Sequence, residues 1–310
     1  MKIKILIFGS TGLVGSSLSR TLKKDENSAF EIFSATRQNA NLFSLNETSS
    51  LISDFKPNFI INAAAKVGGI AANNTERTEF ILENLKININ ILESIIDFPE
   101  ISLINLGSSC IYPLNAKNPI NEESLMSGKL EPTNSPYAMA KLAAIEMGDA
   151  LSKQYGHKVT NLMPTNLYGP NDNFSPNNSH VIPGLIFRMD LAKQNKEEIF
   201  NVWGTGKPKR EFLHVDDLSS AILFLIKNNI VDSLINIGSS YEISIDELAN
   251  LLKEIIGYEG EIRFDSSKPD GNPQKLLDSS KIKNLGWKPK IDLNSGLHST
   301  YDWFKKNKFN

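Results

Sequence analysis

The sequence predicts an α/β protein built on a doubly wound parallel sheet, with a smaller discontinuous α/β lobe beside it. Three observations carry that expectation. Short apolar runs bounded by turn residues alternate with longer segments of helical spacing through the first half of the chain, and strand, helix, strand at this pitch implies parallel strands joined by right-handed crossovers. A glycine-rich turn separates the first apolar run from the first helical segment. The 310 residues exceed the usual size of one domain, and the alternation fails after Pro164.

The elements follow in order. Residues 2–8 read as a strand and 12–24 as a helix starting on the glycine turn; 30–35 is a second strand, 45–55 is helical, and 59–63 is a third strand after Lys56-Pro57. From 78 to 98 apolar residues recur at helical spacing through Phe80, Ile81, Leu85, Ile89, Leu92 and Ile96. The next strand is 102–106. Ser135-Pro136 offers a helix start, with serine as N-cap and proline in the first turn, and that helix runs to about Tyr155. Residues 159–163 form another strand, whereas 166–178, rich in Asn, Pro and Gly, read as irregular loop. A last helix and strand, 215–227 and 234–237, return to the sheet. The expected division is 1–167 plus about 212–240 for cofactor binding, and about 168–211 plus 241–310 for substrate.

Hydrophobic residues make up 40% of the chain, charged residues 22%, and the formal charge is −2. This is an ordinary globular balance, with no electrostatic reason to expect nucleic acid or an anionic membrane as partner. The first apolar run is too short for a signal or a span, and no later run approaches the roughly 20 residues a bilayer needs. The single cysteine, Cys110, excludes an intramolecular disulfide, and four scattered histidines predict no metal site. A reducing cytoplasm is the expected location.

The glycine turn reads Gly9-Ser10-Thr11-Gly12-Leu13-Val14-Gly15. Small residues there let backbone approach a pyrophosphate, and the helix N-terminus presents free N–H groups to it; this is the dinucleotide-binding, Rossmann arrangement. The second strand ends Ser34-Ala35-Thr36-Arg37, with no acid at its tip to take a ribose 2′-hydroxyl and Glu31 too early. Arg37 instead supplies a fixed cation for a 2′-phosphate. NADP(H) is therefore the expected cofactor.

Tyr137 and Lys141 stand at i and i+4, on one helical face. The nearby ammonium is expected to pull the phenol below its ordinary pKa of about 10, which suits proton transfer to a carbonyl oxygen. Ser108 and Ser109 follow the 102–106 strand and Gly107, at the carboxyl edge of the sheet, where a hydroxyl can polarise the same carbonyl.

Glycine turn, Ser108 region and Tyr137/Lys141 pair together resemble the extended short-chain dehydrogenase/reductase superfamily. Finer motifs resemble one of its families, the GDP-L-fucose synthases: Ala63-Ala64-Ala65-Lys66-Val67-Gly68-Gly69-Ile70, Gly107-Ser108-Ser109-Cys110-Ile111-Tyr112-Pro113, Leu130-Glu131-Pro132-Thr133-Asn134, Met163-Pro164-Thr165-Asn166-Leu167-Tyr168-Gly169-Pro170, Asn178-Ser179-His180-Val181-Ile182-Pro183, Arg210-Glu211-Phe212-Leu213-His214-Val215-Asp216-Asp217 and Lys268-Pro269-Asp270-Gly271. The resemblance spans nearly the whole chain. It implies NADPH-dependent inversion of C3 and C5 and reduction of C4 in GDP-4-keto-6-deoxy-D-mannose, by a homodimer joined through the helices around 78–98 and 136–155.

By the same resemblance, Ser108, Tyr137 and Lys141 serve reduction, while Cys110 and His180 form the epimerising pair. Leu106, Gly107, Ser108, Ser109, Lys141, Pro164, Thr165, Asn166, Leu167 and His180 meet the cofactor, and Arg188, Trp203, Arg210 and Asp270 hold the nucleotide sugar. Taken on their own, His180 is equally a loop histidine and Asp270 equally a turn aspartate. His214 reads as structural, and His157 and His298 as surface or packing residues. A base at Cys110 must be a thiolate, which calls for nearby positive charge, with protonated His180 one candidate. The chain departs from the family pattern at Ser10-Thr11, at Gln274 before Lys275, and between Phe187 and Trp203. Two other readings compete: a reductase or epimerase for a related GDP-keto-hexose or heptose, and a catalytically inactive NADP-sensing protein.

Overall fold

The computed structural model describes residues 2–24, 30–176, 179–268 and 270–307; Asn178 and Pro269 of the motifs above lie outside them. Six parallel strands form the main sheet: β1 Ile3–Phe8, β2 Phe30–Ala35, β3 Phe59–Asn62, β4 Ser102–Leu106, β5 Lys158–Pro164 and β9 Leu234–Ile237, in the order β2-β1-β3-β4-β5-β9. The order reverses at β1, so the carboxyl ends of β1, β3 and β4 open onto the crevice where ligands of such sheets bind.

Side chains alternate across the strands, and each face has its own helices. Ile5 and Ile7 join Ile61, Ile104 and Leu162 under α1 Leu13–Lys23 and α7 Val215–Lys227, which contribute Leu18, Leu22, Leu218 and Ile222. Leu6 and Phe8 point the other way, to α2 Leu45–Phe55, α4 Arg77–Ser94 and α5 Ser135–Tyr155. Each such buried aliphatic side chain contributes about 1.5–3 kcal/mol. A polar row crosses the sheet without breaking it: Asn62 donates to Asn105 at 3.0 Å, and Asn105 to Asn161 at 3.2 Å. Asn161 in turn donates to the Ser233 carbonyl at 2.9 Å, so these buried amides are satisfied.

The remaining elements are α3 Ile70–Thr75, β6 Asn166–Tyr168, α6 Val181–Gln194, β7 Ile199–Trp203, β8 Lys209–His214, β10 Glu242–Ser244, α8 Ile245–Ile256, β11 Glu261–Asp265, β12 Gln274–Lys275, α9 Ser280–Asn284 and α10 Leu293–Asn307. A second core gathers Ile186 and Met189 of α6, Leu248 and Leu252 of α8, and Leu297 and Phe304 of α10. Helix α8 carries a full capping box, Ser244 with Glu247. Strand β8 pairs with β6, β10 and β12 and runs across the expected boundary near 211. Its Glu211 is fully buried. The carboxylate accepts from Ser240 N at 2.6 Å and Leu277 N at 3.0 Å, while the backbone carbonyl accepts from Thr165 Oγ1 at 3.1 Å and Asn166 Nδ2 at 2.8 Å.

Three local expectations are corrected. Residues 166–178 are not irregular throughout, because Asn166–Tyr168 pair in parallel with Phe212–His214; three residues are too few to show alternation. The helix expected over 78–98 ends at Ser94 and is preceded by α3, the short apolar repeat persisting into the turn beyond. Asn134, not Ser135, is the N-cap of α5, and it makes no side-chain capping bond.

Candidate active site

The cofactor end of the crevice is set by backbone. Gly9 has φ +74°, and a Cβ there would meet the Ala63 backbone at 2.7 Å, so only glycine permits the turn. A Cβ on Gly15 would collide with the Gly9 carbonyl, whereas one on Gly12 would meet nothing nearer than 3.6 Å. Gly12 is the N-cap of α1 and makes no side-chain bond, leaving the first N–H groups of α1 free to meet an anion. Ser10 does not face outward: its Oγ donates to the Ala35 carbonyl at 2.8 Å and ties the turn to β2. Thr11 is exposed. Arg37, just past β2, is also exposed, and no hydrogen bond or ion pair engages it among the described residues. These residues fit a dinucleotide carrying an extra phosphate.

A cleft of about 280 Å³ runs from Gly12, Leu13 and Val14 past the carboxyl ends of β4 and β5. Of the expected residues, Leu106 through Ser109, Tyr137, Lys141, Pro164 through Leu167 and His180 line it. Cys110 lies just behind the wall, buried, in the short turn Ser109–Ile111. Ser108 opens that turn, its Oγ accepting from Cys110 N at 3.3 Å. The same hydroxyl lies close enough to the Tyr137 phenol and the Cys110 thiol to lower the pKa of each. Phe80 packs edge-on against Tyr137, ring centroids 6.1 Å apart.

Electrostatics here differ from the sequence expectation. Burial pushes the Tyr137 phenol up, negative charge at Cys110 adds to this, and only the Ser108 bond opposes it. Lys141 does not offset the rise. It is itself buried, donates to the Leu106 carbonyl at 2.7 Å, and loses its proton readily, its pKa pulled down to about 8 by desolvation. Tyr137 therefore rests as a neutral phenol, the form that donates a proton. His180 is the N-cap of α6 without a side-chain bond and is exposed to the cleft; the cleft walls lower its pKa by desolvation, which favours the neutral ring. It is not among the charges acting on Cys110. Burial raises that thiol, and the opposing cations are Lys275 and then Lys141.

The four residues expected to hold the nucleotide sugar stand outside the cleft as a separate group. Trp203 is 65% exposed, so it presents a flat face rather than filling a core. The Arg188 guanidinium lies 5.3 Å from the Phe200 ring and 6.0 Å from the Trp203 ring, and donates to the Asn201 carbonyl at 3.2 Å. Arg210 donates to the Lys209 carbonyl at 2.8 Å. Asp270 accepts from Thr205 N at 2.6 Å and Thr205 Oγ1 at 2.8 Å, so its carboxylate closes its own loop. His214 caps α7, its Nδ1 accepting from Asp216 N at 3.2 Å, and buried His157 contacts the Ile96 carbonyl.

Sequence reasoning missed Asn73, Asp172 and Lys275. Asn73 and Asp172 both line the cleft, and each has one buried oxygen without a hydrogen-bond partner, Oδ1 and Oδ2 respectively. Two unsatisfied oxygens in one cleft fit a ligand that brings hydroxyl groups. Desolvation raises the Asp172 carboxyl to about 7. Nothing in Pro170-Asn171-Asp172-Asn173 distinguishes it from a loop aspartate. Among the described residues no group of three His, Cys, Asp or Glu could hold a metal, and no helix is long and apolar enough to cross a membrane.

Comparison with known proteins agrees with this geometry. The family model described as NAD dependent epimerase/dehydratase family matches residues 5–238. GDP-L-fucose synthase 1 of Arabidopsis thaliana is 49% identical over 304 residues, which cover 98% of this chain and 94% of that one. A GDP-L-fucose synthetase from Naegleria fowleri, solved bound to NADP, has a TM-score of 0.90 at 28% identity, covering 100% of this chain and 96% of its own. A GDP-6-OMe-4-keto-L-xylo-heptose reductase from C. jejuni also has a TM-score of 0.90, at 33% identity over 98% of each chain. By its glycine turn, its Ser-Tyr-Lys cleft and its full-length likeness to GDP-L-fucose synthases, the chain belongs to the NAD dependent epimerase/dehydratase family.

Proposed function

We propose that the chain converts GDP-4-keto-6-deoxy-D-mannose to GDP-L-fucose, inverting C3 and C5 and reducing C4 with NADPH. The observation that carries this reading is the convergence of Ser108, Tyr137 and Lys141 on one cleft that also receives His180 and has the Cys110 turn at its wall. NADPH, held at the glycine turn and Arg37, supplies the hydride when bound.

The protein's part is proton management around one carbonyl oxygen. Hydrogens on C3 and C5 are both α to the C4 ketone, so hydrogen bonds from the Ser108 hydroxyl and the Tyr137 phenol to that oxygen stabilise each enolate. The same phenol gives its proton to that oxygen when C4 is reduced, and Lys141 stands one helical turn away to restore it. Cys110 and His180 are assigned to opposite faces of the sugar, one taking an α-proton and the other returning one. Asn73 Oδ1 would accept from a sugar hydroxyl, and Asp172 Oδ2 would hydrogen-bond another. Arg188, Arg210 and the Trp203 face would take the diphosphate and base. A homodimer through α4 and α5 belongs to the same proposal, supported by exposed Leu82 and Ile89 on α4 and Met139 on α5.

A reductase or epimerase for a related GDP-keto-hexose or heptose is the second reading, supported by the likeness to the C. jejuni heptose reductase. Incubation with NADPH and GDP-4-keto-6-deoxy-D-mannose, followed by NMR of the sugar, separates the two. GDP-L-fucose is expected; a 4-reduced sugar with C3 and C5 unchanged supports the second reading, and no NADPH oxidation overturns the first.

A further inference from the structure

Lys275 has no role in the reading above, yet its surroundings are unusual. It lies at the end of β12, directly opposite Arg210 of β8. The residues after it are clamped to the segment below the Cys110 turn: Ile120 N donates to the Leu276 carbonyl at 2.8 Å, Asp278 N donates to the Ile120 carbonyl at 2.8 Å, and Leu277 packs in one cluster with Ile111 and Tyr112. Its ammonium has no hydrogen bond or ion pair among the described residues. The carboxylate nearest in influence, Glu131, is engaged by the N–H groups of Thr133 and Asn134 in its own turn. A half-buried ammonium set opposite a second cation, Arg210, with no ion pair of its own is unfavourable, so it is expected to serve a group that becomes negative.

We propose that Lys275 is the positioning residue that keeps Cys110 available as a thiolate base for α-proton removal. This rests on the epimerase reading of the cleft. In the step, the C–H bond of the sugar breaks, its proton passes to the Cys110 sulfur, and the electron pair enters the enolate. Lys275 stays cationic throughout and touches neither substrate nor cofactor. The groups facing Cys110 are Ser108 and Tyr137 from the cleft, Lys141 of α5 and Lys275 of β12; those facing Lys275 are Cys110, Arg210 and Glu131. Burial drives the thiol up, and Lys275 is the strongest influence opposing it, ahead of the Ser108 hydrogen bond and Lys141. Burial and Arg210 lower the lysine in turn, while Cys110 raises it. Each group favours the charged form of the other.

Because Cys110 is the only cysteine of the chain, thiolate ultraviolet absorbance against pH, taken as the difference from Cys110→Ser, reports it alone. Lys275→Met should move the thiolate transition upward by about one pH unit or more, and Lys275→Arg should restore most of the shift. Exchange of substrate α-protons with deuterated water should fall by about tenfold at fixed pH in Lys275→Met and recover in Lys275→Arg. A titration unchanged in Lys275→Met, with NADPH binding intact as the check on folding, overturns the proposal. So does a raised KM for the GDP-sugar without a thiol shift, which would assign Lys275 to substrate phosphate. The titration needs no turnover, so it stands even if the chain makes a product other than GDP-L-fucose.

Discussion

The two ends of the cleft are built differently. At the glycine turn, one contiguous stretch from Gly9 to Gly15 fixes its shape through φ angles and helix N–H groups, and side chains matter mainly by being small. At the sugar end, the groups come from β4, α5, α6, β8, β12 and the loop at Asp172, and they act through charge and protonation. The first is rigid and chemically plain; the second depends on many long-range placements being right together. Substitutions should therefore act at the cofactor end on affinity and at the sugar end on chemistry.

Tyr137→Phe puts that contrast to its hardest test. NADPH oxidation should fall by about 10²–10⁴-fold, while exchange of substrate α-protons with deuterated water persists in part, because Ser108 still polarises the ketone. Unchanged turnover would remove the phenol from the chemistry and erase the distinction. At the other end, Arg37→Ala should raise the KM for NADPH about ten- to a hundredfold and leave NADH nearly unaffected, the size expected for losing charge-assisted bonds to a phosphate. An equal change for both cofactors would show that Arg37 does not read the 2′-phosphate.

The smallest expected effect lies in stability. The folded Asp172 carboxyl is raised from 3.8 to about 7, so the folded state holds its proton more tightly than the unfolded chain. Its contribution is fully favourable below the unfolded pKa and is lost as pH rises through about 7. Asp172→Asn, which mimics the protonated form, should raise Tm by about 2 °C or more at pH 8 and by little near pH 4. A gain of equal size at both values would mean the carboxyl is not held neutral.

The same contrast governs what could be read from sequence. The main sheet and the glycine turn were legible because alternating periods and local glycine spacing record them within a few residues of chain. The Tyr137/Lys141 face was legible for the same reason. Its electrostatics were not: spacing shows that the ammonium is near the phenol but not that both are buried, and burial decides the direction of each shift. For charging Cys110 the sequence suggests His180, whereas Lys275 arrives from 165 positions later along a two-residue strand that no pattern announces. Asn73 and Asp172 escaped likewise, since an unsatisfied oxygen is a property of the folded packing.

Glu211 has a consequence for how β5 and β8 move. Backbone from beyond β9 and from beyond β12 ends on its carboxylate, and Thr165 and Asn166 at the end of β5 end on its carbonyl. Drawing β8 away from the end of β5 would break these bonds where water cannot replace them, so the two are expected to move together.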